Sequence, residues 1–191
     1  MIPLAPPFRL AAPEDGPVLA ELVNAAGEGL AYYFWSKSAA PGEDPWALGI
    51  ARQRERAAEG KIVVIDHGDG PVAALTGYEI DSAEPVEELS PVIQPLQALE
   101  NQALDSWYVN VLAALPDQRG KGHGTALLGL AEQICRDLGR PKLSLIVHDT
   151  NTGARDLYAS QGYRDVATRA IIREDWETDG KDWILMIKDL A

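Results

Sequence analysis

The chain is poor in cysteine and histidine, and this scarcity excludes several chemistries. It holds one cysteine, Cys135, and three histidines among its 191 residues. A single cysteine excludes a disulfide within the chain and a cluster of thiolate metal ligands. The histidines, His67, His123 and His148, are scattered, and none belongs to a motif with the spacing of metal ligands. We therefore expect no metal site, and we expect Cys135 to be a small packed residue rather than a nucleophile.

Long apolar runs are also absent. No stretch of the sequence is long enough to span a bilayer. The N-terminal residues include Pro3, Pro6, Pro7 and Arg9, but they lack the positively charged lead and apolar core of a signal peptide. We therefore expect a cytoplasmic protein that has no membrane partner.

Basic residues are scarce relative to acidic ones. The chain has 17 lysines and arginines against 29 aspartates and glutamates, which gives a net charge of -12. Sequence-independent binding of nucleic acid needs a basic surface, so we exclude nucleic acid as a partner and expect a cationic ligand to suit this field better. The length and the 46% hydrophobic content suffice for one folded domain, which we place over residues 1–191.

Glycines are concentrated in one informative segment. A strand-like run from Trp107 to Leu115 ends at Pro116, and the sequence Arg119-Gly120-Lys121-Gly122-His123-Gly124 follows it. Apolar residues then recur with helical spacing as far as Leu138, and Gly139 is a typical helix stop. Glycines at the start of a helix leave backbone N–H groups free to converge on a phosphate.

The spacing of these glycines distinguishes between phosphate-binding patterns. The P-loop needs four residues between its first glycine and its Gly-Lys-Ser/Thr, and this arrangement does not occur here. The dinucleotide fingerprint needs a third glycine where this chain has Thr125 or Leu127. Neither pattern therefore fits the spacing of these glycines. The pattern Gln/Arg-x-x-Gly-x-Gly/Ala is met at Arg119, Gly122 and Gly124. It resembles the coenzyme A pyrophosphate loop of the GNAT superfamily of acetyl-CoA-dependent acyltransferases.

A second motif downstream is similar to another GNAT signature. The buried-strand run 143–147 is followed by Asn151, then by a helix from about Gly153 to Gln161 that carries Tyr158, and then by a Gly-Tyr step at 162–163. In that family the asparagine contacts the pantetheine arm and the tyrosine hydroxyl lies near the thioester sulfur. The two motifs together cover roughly the C-terminal half of the chain.

The resemblance implies an N-acetyltransferase that uses acetyl-CoA as acyl donor and an amine as acceptor, and it leaves room for a homodimer. It assigns coenzyme binding to the end of the strand, whose backbone would pair with pantetheine, to the glycine loop, and to the asparagine. These residues are Ala113, Ala114, Leu115, Arg119, Gly120, Lys121, Gly122, His123, Gly124, Thr125 and Asn151.

The resemblance also assigns catalytic roles, and here the chain departs from the family. Tyr158 is the expected general acid, although helix packing would also explain it. The two positions where family members carry a basic glutamate hold Val109 and Ile146, neither of which can take a proton. The neighbouring candidates for a general base are Tyr108, Asn110, His148, Glu100 and Asp105, and a water relay would need no dedicated base.

The remaining pattern predicts the order of elements. Strand and helix signals alternate, which indicates an α/β or α+β protein, and the GNAT resemblance selects an α+β fold with a mixed, largely antiparallel central sheet flanked by helices. The predicted elements are a strand at 8–11, a helix around 18–23, a helix at 45–58, strands at 61–65 and 72–80 joined by a hairpin turn, and the strand and helix pairs already described. The runs 164–172 and 183–187 follow, with Asp179-Gly180 in the connection between them.

Two further segments bear on the acceptor. The segment from Asp81 to Gln97 carries three prolines and three glutamates, and it is either a solvated excursion or a lid over the substrate. The run Tyr32 to Trp35 is aromatic throughout; core packing explains most of it, but one ring at least should reach a surface where it can hold a cation. The acceptor itself stays open between a polyamine, an amino acid, an antibiotic amine and a protein amine.

Two other functions compete with catalysis. The missing carboxylates are compatible with a module that binds acyl-CoA as a sensor without turnover. An ATP or dinucleotide site is the other alternative hypothesis, and the glycine spacing disfavours it.

Overall fold

The computed structural model describes residues 3–190, within which the chain forms seven β-strands and six α-helices. In chain order these are β1 (Phe8–Leu10), α1 (Gly16–Ala26), α2 (Leu30–Ser38), α3 (Pro45–Ala58), β2 (Val63–Asp66), β3 (Pro71–Ile80), α4 (Gln94–Glu100), β4 (Ser106–Ala114), α5 (His123–Asp137), β5 (Lys142–His148), α6 (Thr152–Ser160), β6 (Arg164–Ala170) and β7 (Asp182–Asp189). Short 3-10 turns occupy Pro13–Asp15 and Pro116–Gln118. None of the helices in this range combines the length and apolar character needed to cross a membrane.

The strands form one sheet in the order β1-β2-β3-β4-β5-β7-β6. β2 pairs antiparallel with β1 and β3, and β7 pairs antiparallel with β5 and β6. β4 and β5 are parallel, in register from Ser106 opposite Lys142 to Val109 opposite Leu145. This mixed, mostly antiparallel sheet with its flanking helices confirms the predicted fold class.

The first of two compact units comprises the residues through Thr76 together with Val111–Leu127. Its core contains the apolar face of α1, as helical periodicity predicts, together with buried side chains of β2 and β3. The cluster consists of Ala11, Leu19, Leu22, Ala57, Ile62, Val64 and Ala74, with Val18, Ala113 and Leu115 packed against it.

The second unit comprises Gly77–Asn110 and the residues from Leu128 onward. The middle of β5 is an almost continuous apolar run, and its residues Leu143 and Leu145 are buried. The register sets Leu145 opposite Met186 and Val147 opposite Ile184, and residues 183–187 of β7 are buried as well. The division into two units does not test the expected single domain over residues 1–191, which stays a prediction.

The structure has one helix more than expected before the hairpin. Three helices rather than two precede the hairpin, because the aromatic run lies in the extra helix α2. Gly29 precedes this helix with a left-handed φ of 88°, and the N–H of Tyr32 donates to Asn24 Oδ1 over 2.8 Å. The cap therefore comes from a side chain eight residues earlier, outside the local pattern that announces a helix start.

Candidate active site

The glycine loop is held open by backbone conformations that other residues rarely adopt. Gly120 and Gly122 have φ values of 73° and 86°, in the left-handed region. A Cβ at either position would meet no atom within 4 Å, so the glycines serve the turn itself rather than close packing. Pro116–Gln118 forms the 3-10 turn before the loop, and α5 begins at His123.

The loop and the first turn of α5 expose a row of backbone donors. Ala126 N–H donates to Gly122 O over 3.0 Å, which closes the first turn. In residues 3–190, no acceptor is recorded for the backbone N–H groups from Gly120 to Thr125. Unpaired N–H groups at the positive end of a helix form an anion site. The open space around the glycines and these free donors therefore fit a pyrophosphate.

The side chains of the loop add positive charge at its rim. Arg119 and Lys121 are exposed, and Lys121 Nζ donates to Gln118 Oε1 over 3.0 Å. The ring of His123 lies 5.6 Å from that of His67 in the hairpin turn. Burial lowers the pKa of His123, and the charges of His67 and Lys121 act in the same direction. His123 is therefore a neutral residue near pH 7, and the permanent charges come from Arg119 and Lys121.

The end of β4 offers fewer free backbone groups than the sequence suggests. Leu115 N–H donates to Val72 O over 2.9 Å, and Leu115 O accepts from Gln118 N–H over 2.9 Å. Ala114 O lies 3.5 Å from Arg119 Nε. In the second unit, the next residues of β4 and β5, Asn110 and Ile146, are not paired with each other. The parallel ladder thus ends at Val109, and Asn110 is exposed beyond it.

Asn151 lies at the start of the second predicted motif. Its Oδ1 accepts a hydrogen bond from Ala154 N–H over 3.1 Å, so it caps α6. Tyr158 follows on the same helix and is buried, with its ring 5.9 Å from the ring of Tyr163. Burial raises the pKa of Tyr158 to about 12. The phenol is therefore protonated at neutral pH, as a proton donor must be.

Tyr108 belongs to a cluster that the sequence alone does not reveal. Its ring packs on that of Tyr78 with centroids 5.2 Å apart, and the Tyr78 hydroxyl donates to Glu100 Oε2 over 2.8 Å. Burial raises the pKa of Tyr108 well above its usual value, with further contributions from Glu100, Tyr78 and Tyr158. These four side chains come from β3, α4, β4 and α6, and the other three each raise the pKa of Tyr108.

His148 and Asp105, two other candidates for the general base, lie outside the cluster around Tyr108. His148 is buried, and both ring nitrogens are engaged, Nδ1 with Thr150 Oγ1 at 2.7 Å and Nε2 with Thr178 Oγ1 at 2.8 Å. Asp105 is exposed before β4, with a left-handed φ of 61°. A buried imidazole with two partners has no lone pair to offer a substrate, so His148 has a structural role here.

The segment from Asp81 to Gln97 is fastened to the residue after Glu100. Asn101 Oδ1 accepts from Glu84 N–H over 2.9 Å, and Asn101 Nδ2 donates to Glu84 O over 2.8 Å. The segment is not wholly irregular, because α4 begins within it at Gln94. Its three glutamates are exposed.

The aromatic run of α2 divides between core and surface. Tyr33 and Trp35 are buried, whereas Tyr32 is 37% exposed with its ring 5.4 Å from that of Trp46. At least one ring of the run therefore reaches the surface, as predicted.

Cys135 is fully buried, and burial raises the pKa of its thiol. Among the residues from 3 to 190, no group of His, Cys, Asp and Glu side chains is arranged to hold a metal ion.

Comparison with known protein families gives a match over most of the chain. The sequence model described as Acetyltransferase (GNAT) family matches residues 29–163. A search of curated proteins gave no match.

Several solved structures resemble the chain. A ribosomal-protein-alanine N-acetyltransferase from Brucella melitensis is 21% identical, with 96% of this chain and 99% of that chain covered and a TM-score of 0.60. The ribosomal-protein-S18-alanine N-acetyltransferase from Escherichia coli is 18% identical, with 96% and 93% covered and a TM-score of 0.59. A GNAT family acetyltransferase from Elizabethkingia anophelis with acetyl-CoA bound is 17% identical, with 68% and 75% covered and a TM-score of 0.51. At these identities the likeness concerns the fold.

Proposed function

The chain belongs to the GNAT family of acetyltransferases, and we propose that it transfers an acetyl group from acetyl-CoA to the amine of an acceptor. The observation that carries the proposal is the loop from Arg119 to Thr125, with two left-handed glycines and a row of unpaired N–H groups at the start of α5. A pyrophosphate of coenzyme A satisfies those donors, and Arg119 and Lys121 neutralise its charge.

The pantetheine arm is proposed to lie against the end of β4 and Asn151. Ala113 and Ala114 carry small side chains, and the Asn110 backbone lies just past the last pair with β5. An extended arm with amide groups binds such an edge as an additional strand would. Leu115 contributes packing rather than an N–H group, because that donor already binds Val72.

The reaction forms one bond and breaks another at the thioester carbon. The neutral amine nitrogen attacks the carbonyl carbon to form the C–N bond, and the C–S bond then breaks. Tyr158 donates its proton to the departing sulfur, and the proton lost by the nitrogen restores the phenol, directly or through water. The raised pKa of Tyr158 keeps this donor protonated throughout the neutral range.

The acceptor is proposed to be a small cationic amine. The net charge of -12 attracts cations, and the exposed glutamates of the Asp81 to Gln97 segment strengthen that field locally. The exposed ring of Tyr32 beside Trp46 offers a surface on which an organic cation can bind.

A second candidate function is acyl-CoA sensing without turnover. It is favoured by Val109 and Ile146, apolar residues at the two positions where family members carry a basic glutamate. A sensor needs the loop but needs neither a proton acceptor nor an acceptor site.

The test is a coenzyme A release assay over a panel of amines, paired with calorimetry of coenzyme A binding. The panel holds polyamines, amino acids, aminoglycosides, lysine peptides and a peptide with N-terminal alanine, the last because two structural neighbours are named for that acceptor. Amine-dependent release supports the acetyltransferase. Binding without release on any amine supports the sensor, and absence of binding refutes both.

A further inference from the structure

A tyrosine and a glutamate outside both family motifs form a hydrogen-bonded pair. Tyr78 of β3 donates to Glu100 at the end of α4 over 2.8 Å, and Tyr78 is 43% exposed. The Tyr78 side chain is thus partly open to solvent, and Glu100 is half-buried. A hydroxyl that donates to a carboxylate can pass its proton on while its oxygen accepts another, which is the arrangement of a proton relay.

The sheet fixes the direction in which Tyr78 points. A Cβ on Gly77 would collide with the ring of Trp107, so these two neighbours share one face of β3 and β4. Tyr78 and Tyr108 follow them by one residue and therefore lie on the opposite face, with rings 5.2 Å apart. Tyr158, the proposed general acid, contributes to the raised pKa of Tyr108.

The surroundings of Glu100 favour a basic carboxylate. Burial raises the pKa of Glu100, and the hydrogen bond from Tyr78 opposes this to a smaller degree. The titratable groups that face it are Tyr78 on β3 and Tyr108 on β4, and neither is charged at neutral pH. Within residues 3–190 no lysine or arginine of another element contributes to the shift. A carboxylate whose pKa moves toward neutrality is a better proton acceptor than an ordinary one.

We propose that Tyr78 and Glu100 take the proton from the acceptor ammonium in the acetyl transfer proposed above, on which this inference rests. The ammonium N–H gives its proton to the Tyr78 hydroxyl oxygen while Tyr78 gives its own proton to Glu100 Oε2. The products are a neutral amine, an unchanged phenol and a carboxylic acid, which returns its proton to water after turnover. Tyr78 is the catalytic residue that touches the substrate, and Glu100 acts through it.

The relay fills the role that the family positions leave open. Val109 and Ile146 cannot take a proton, and both nitrogens of His148 are occupied. The amide of Asn110 is not basic, and Asp105 is exposed before the start of β4. Glu100 is thus the candidate carboxylate that the structure places beside the tyrosines, through the hydrogen bond that it accepts from Tyr78.

The pH dependence of kcat/KM for an alkyl amine with a pKa near 10 tests the relay. The wild-type protein should reach a plateau once Glu100 is ionised, because it accepts the ammonium form. Glu100→Gln should instead rise tenfold per pH unit up to about pH 10, because only amine that is already neutral can react. Near pH 7 the variant should therefore lose about 10²- to 10³-fold, and the loss should shrink with an amine whose pKa is near 7.

Two further variants keep the result interpretable. Tyr78→Phe preserves the packing against Tyr108 and should reproduce the altered profile. Asp137→Asn removes an exposed carboxylate at the end of α5, which has no part in the site, so its profile should match the wild type. Coenzyme A affinity should change less than twofold in all three.

Each contrary result has one meaning. A Glu100→Gln or Tyr78→Phe profile with the wild-type plateau overturns the relay while leaving the acetyltransferase intact. A uniform loss at every pH, with weakened coenzyme A binding, overturns it by assigning the pair a structural role. A wild-type protein that acetylates no amine overturns the proposed function and the relay with it.

Discussion

Ser106, the first residue of β4, and Ser144 of β5 share a hydrogen bond of 2.6 Å, and both side chains are fully buried. Ser106 Oγ also donates to Ala103 O over 2.6 Å. A hydroxyl has one proton to give, so Ser106 must accept from Ser144. The two serines therefore form a directed chain that ends at a backbone carbonyl.

This direction predicts unequal costs for the two alanine variants. Ser106→Ala leaves the Ser144 hydroxyl and the Ala103 carbonyl unpaired, so it should lower the free energy of unfolding by about 2–3 kcal/mol. Ser144→Ala removes only the first donor and should cost about 1 kcal/mol. Urea unfolding of both variants and of the double variant measures the difference. Equal costs would contradict the assigned direction.

Coenzyme A binding should depend on the left-handed glycines. Gly122→Val forces a β-branched residue into a φ of 86° and disturbs the first turn of α5, so calorimetry should detect no binding. Gly129→Ala on the exposed side of the same helix is the control, because a Cβ there meets nothing within 4 Å. That control should retain full affinity and should stabilise the protein by about 0.5–1 kcal/mol. Unchanged affinity in Gly122→Val would remove the loop from the coenzyme site.

Tyr158→Phe should lower kcat by about 10²-fold while acetyl-CoA affinity stays within twofold. The hydroxyl acts only as the sulfur acquires charge, so its loss affects the transition state rather than the bound substrate. Tyr163→Phe is a control at the neighbouring buried ring. A kcat close to that of the wild type would mean that Tyr158 only packs, and that coenzyme A leaves as a thiolate.

The ion cluster of Arg9, Asp15 and Asp66 should make stability depend on acid pH. Burial alone would raise the pKa of Asp15, but two hydrogen bonds from Arg9 and one from Ala12 N–H outweigh it and lower the pKa. A lowered folded-state pKa gives stability that is present above the unfolded value of about 3.9 and lost below it.

Asp15→Asn should therefore cost about 2 kcal/mol at pH 7, and the difference from the wild type should vanish once the pH has fallen through the lowered pKa of Asp15. Urea unfolding across this range measures it. A cost that does not vary with pH would show that the side chain acts through its shape rather than its charge.

The acceptor kcat/KM should fall several-fold as salt rises from about 0.02 to 0.3 M, because screening shortens the reach of the acidic field. Replacing Glu84, Glu87 and Glu88 by glutamine should reproduce part of that fall. The control replaces Glu14, Glu21 and Glu55, exposed glutamates elsewhere, with the same change in net charge. Equal effects from both triple variants would show that overall charge, rather than the segment, attracts the acceptor.

The parts of the fold that local patterns determine were predictable from sequence. The apolar spacing of α5, the glycine that ends it at a φ of 70°, and the glycine-containing turn between β2 and β3 each depend on residues a few positions apart. The loop glycines were predictable for the same reason, because a left-handed turn requires them wherever it occurs.

Contacts between distant residues were not predictable. Tyr78 and Glu100 are 22 residues apart, and neither matches a motif position, so only the assembled sheet brings them together. The start of α2 depends on Asn24 in the same way. His148 looked available as a base at the exit of β5, but the threonines that occupy its nitrogens include one 30 residues later.

The chain passes from one compact unit to the other three times, within β3, within β4 and within α5. Each boundary therefore falls inside a helix or strand rather than in a linker. During synthesis the first unit lacks Ala113 and Leu115, which pack on its core, until the chain beyond residue 110 has emerged. All of the 77–110 segment of the second unit is therefore made before the first unit can close. A ribosome-bound chain stopped after Thr76 should remain sensitive to protease, and protection should appear only once residue 127 has left the exit tunnel.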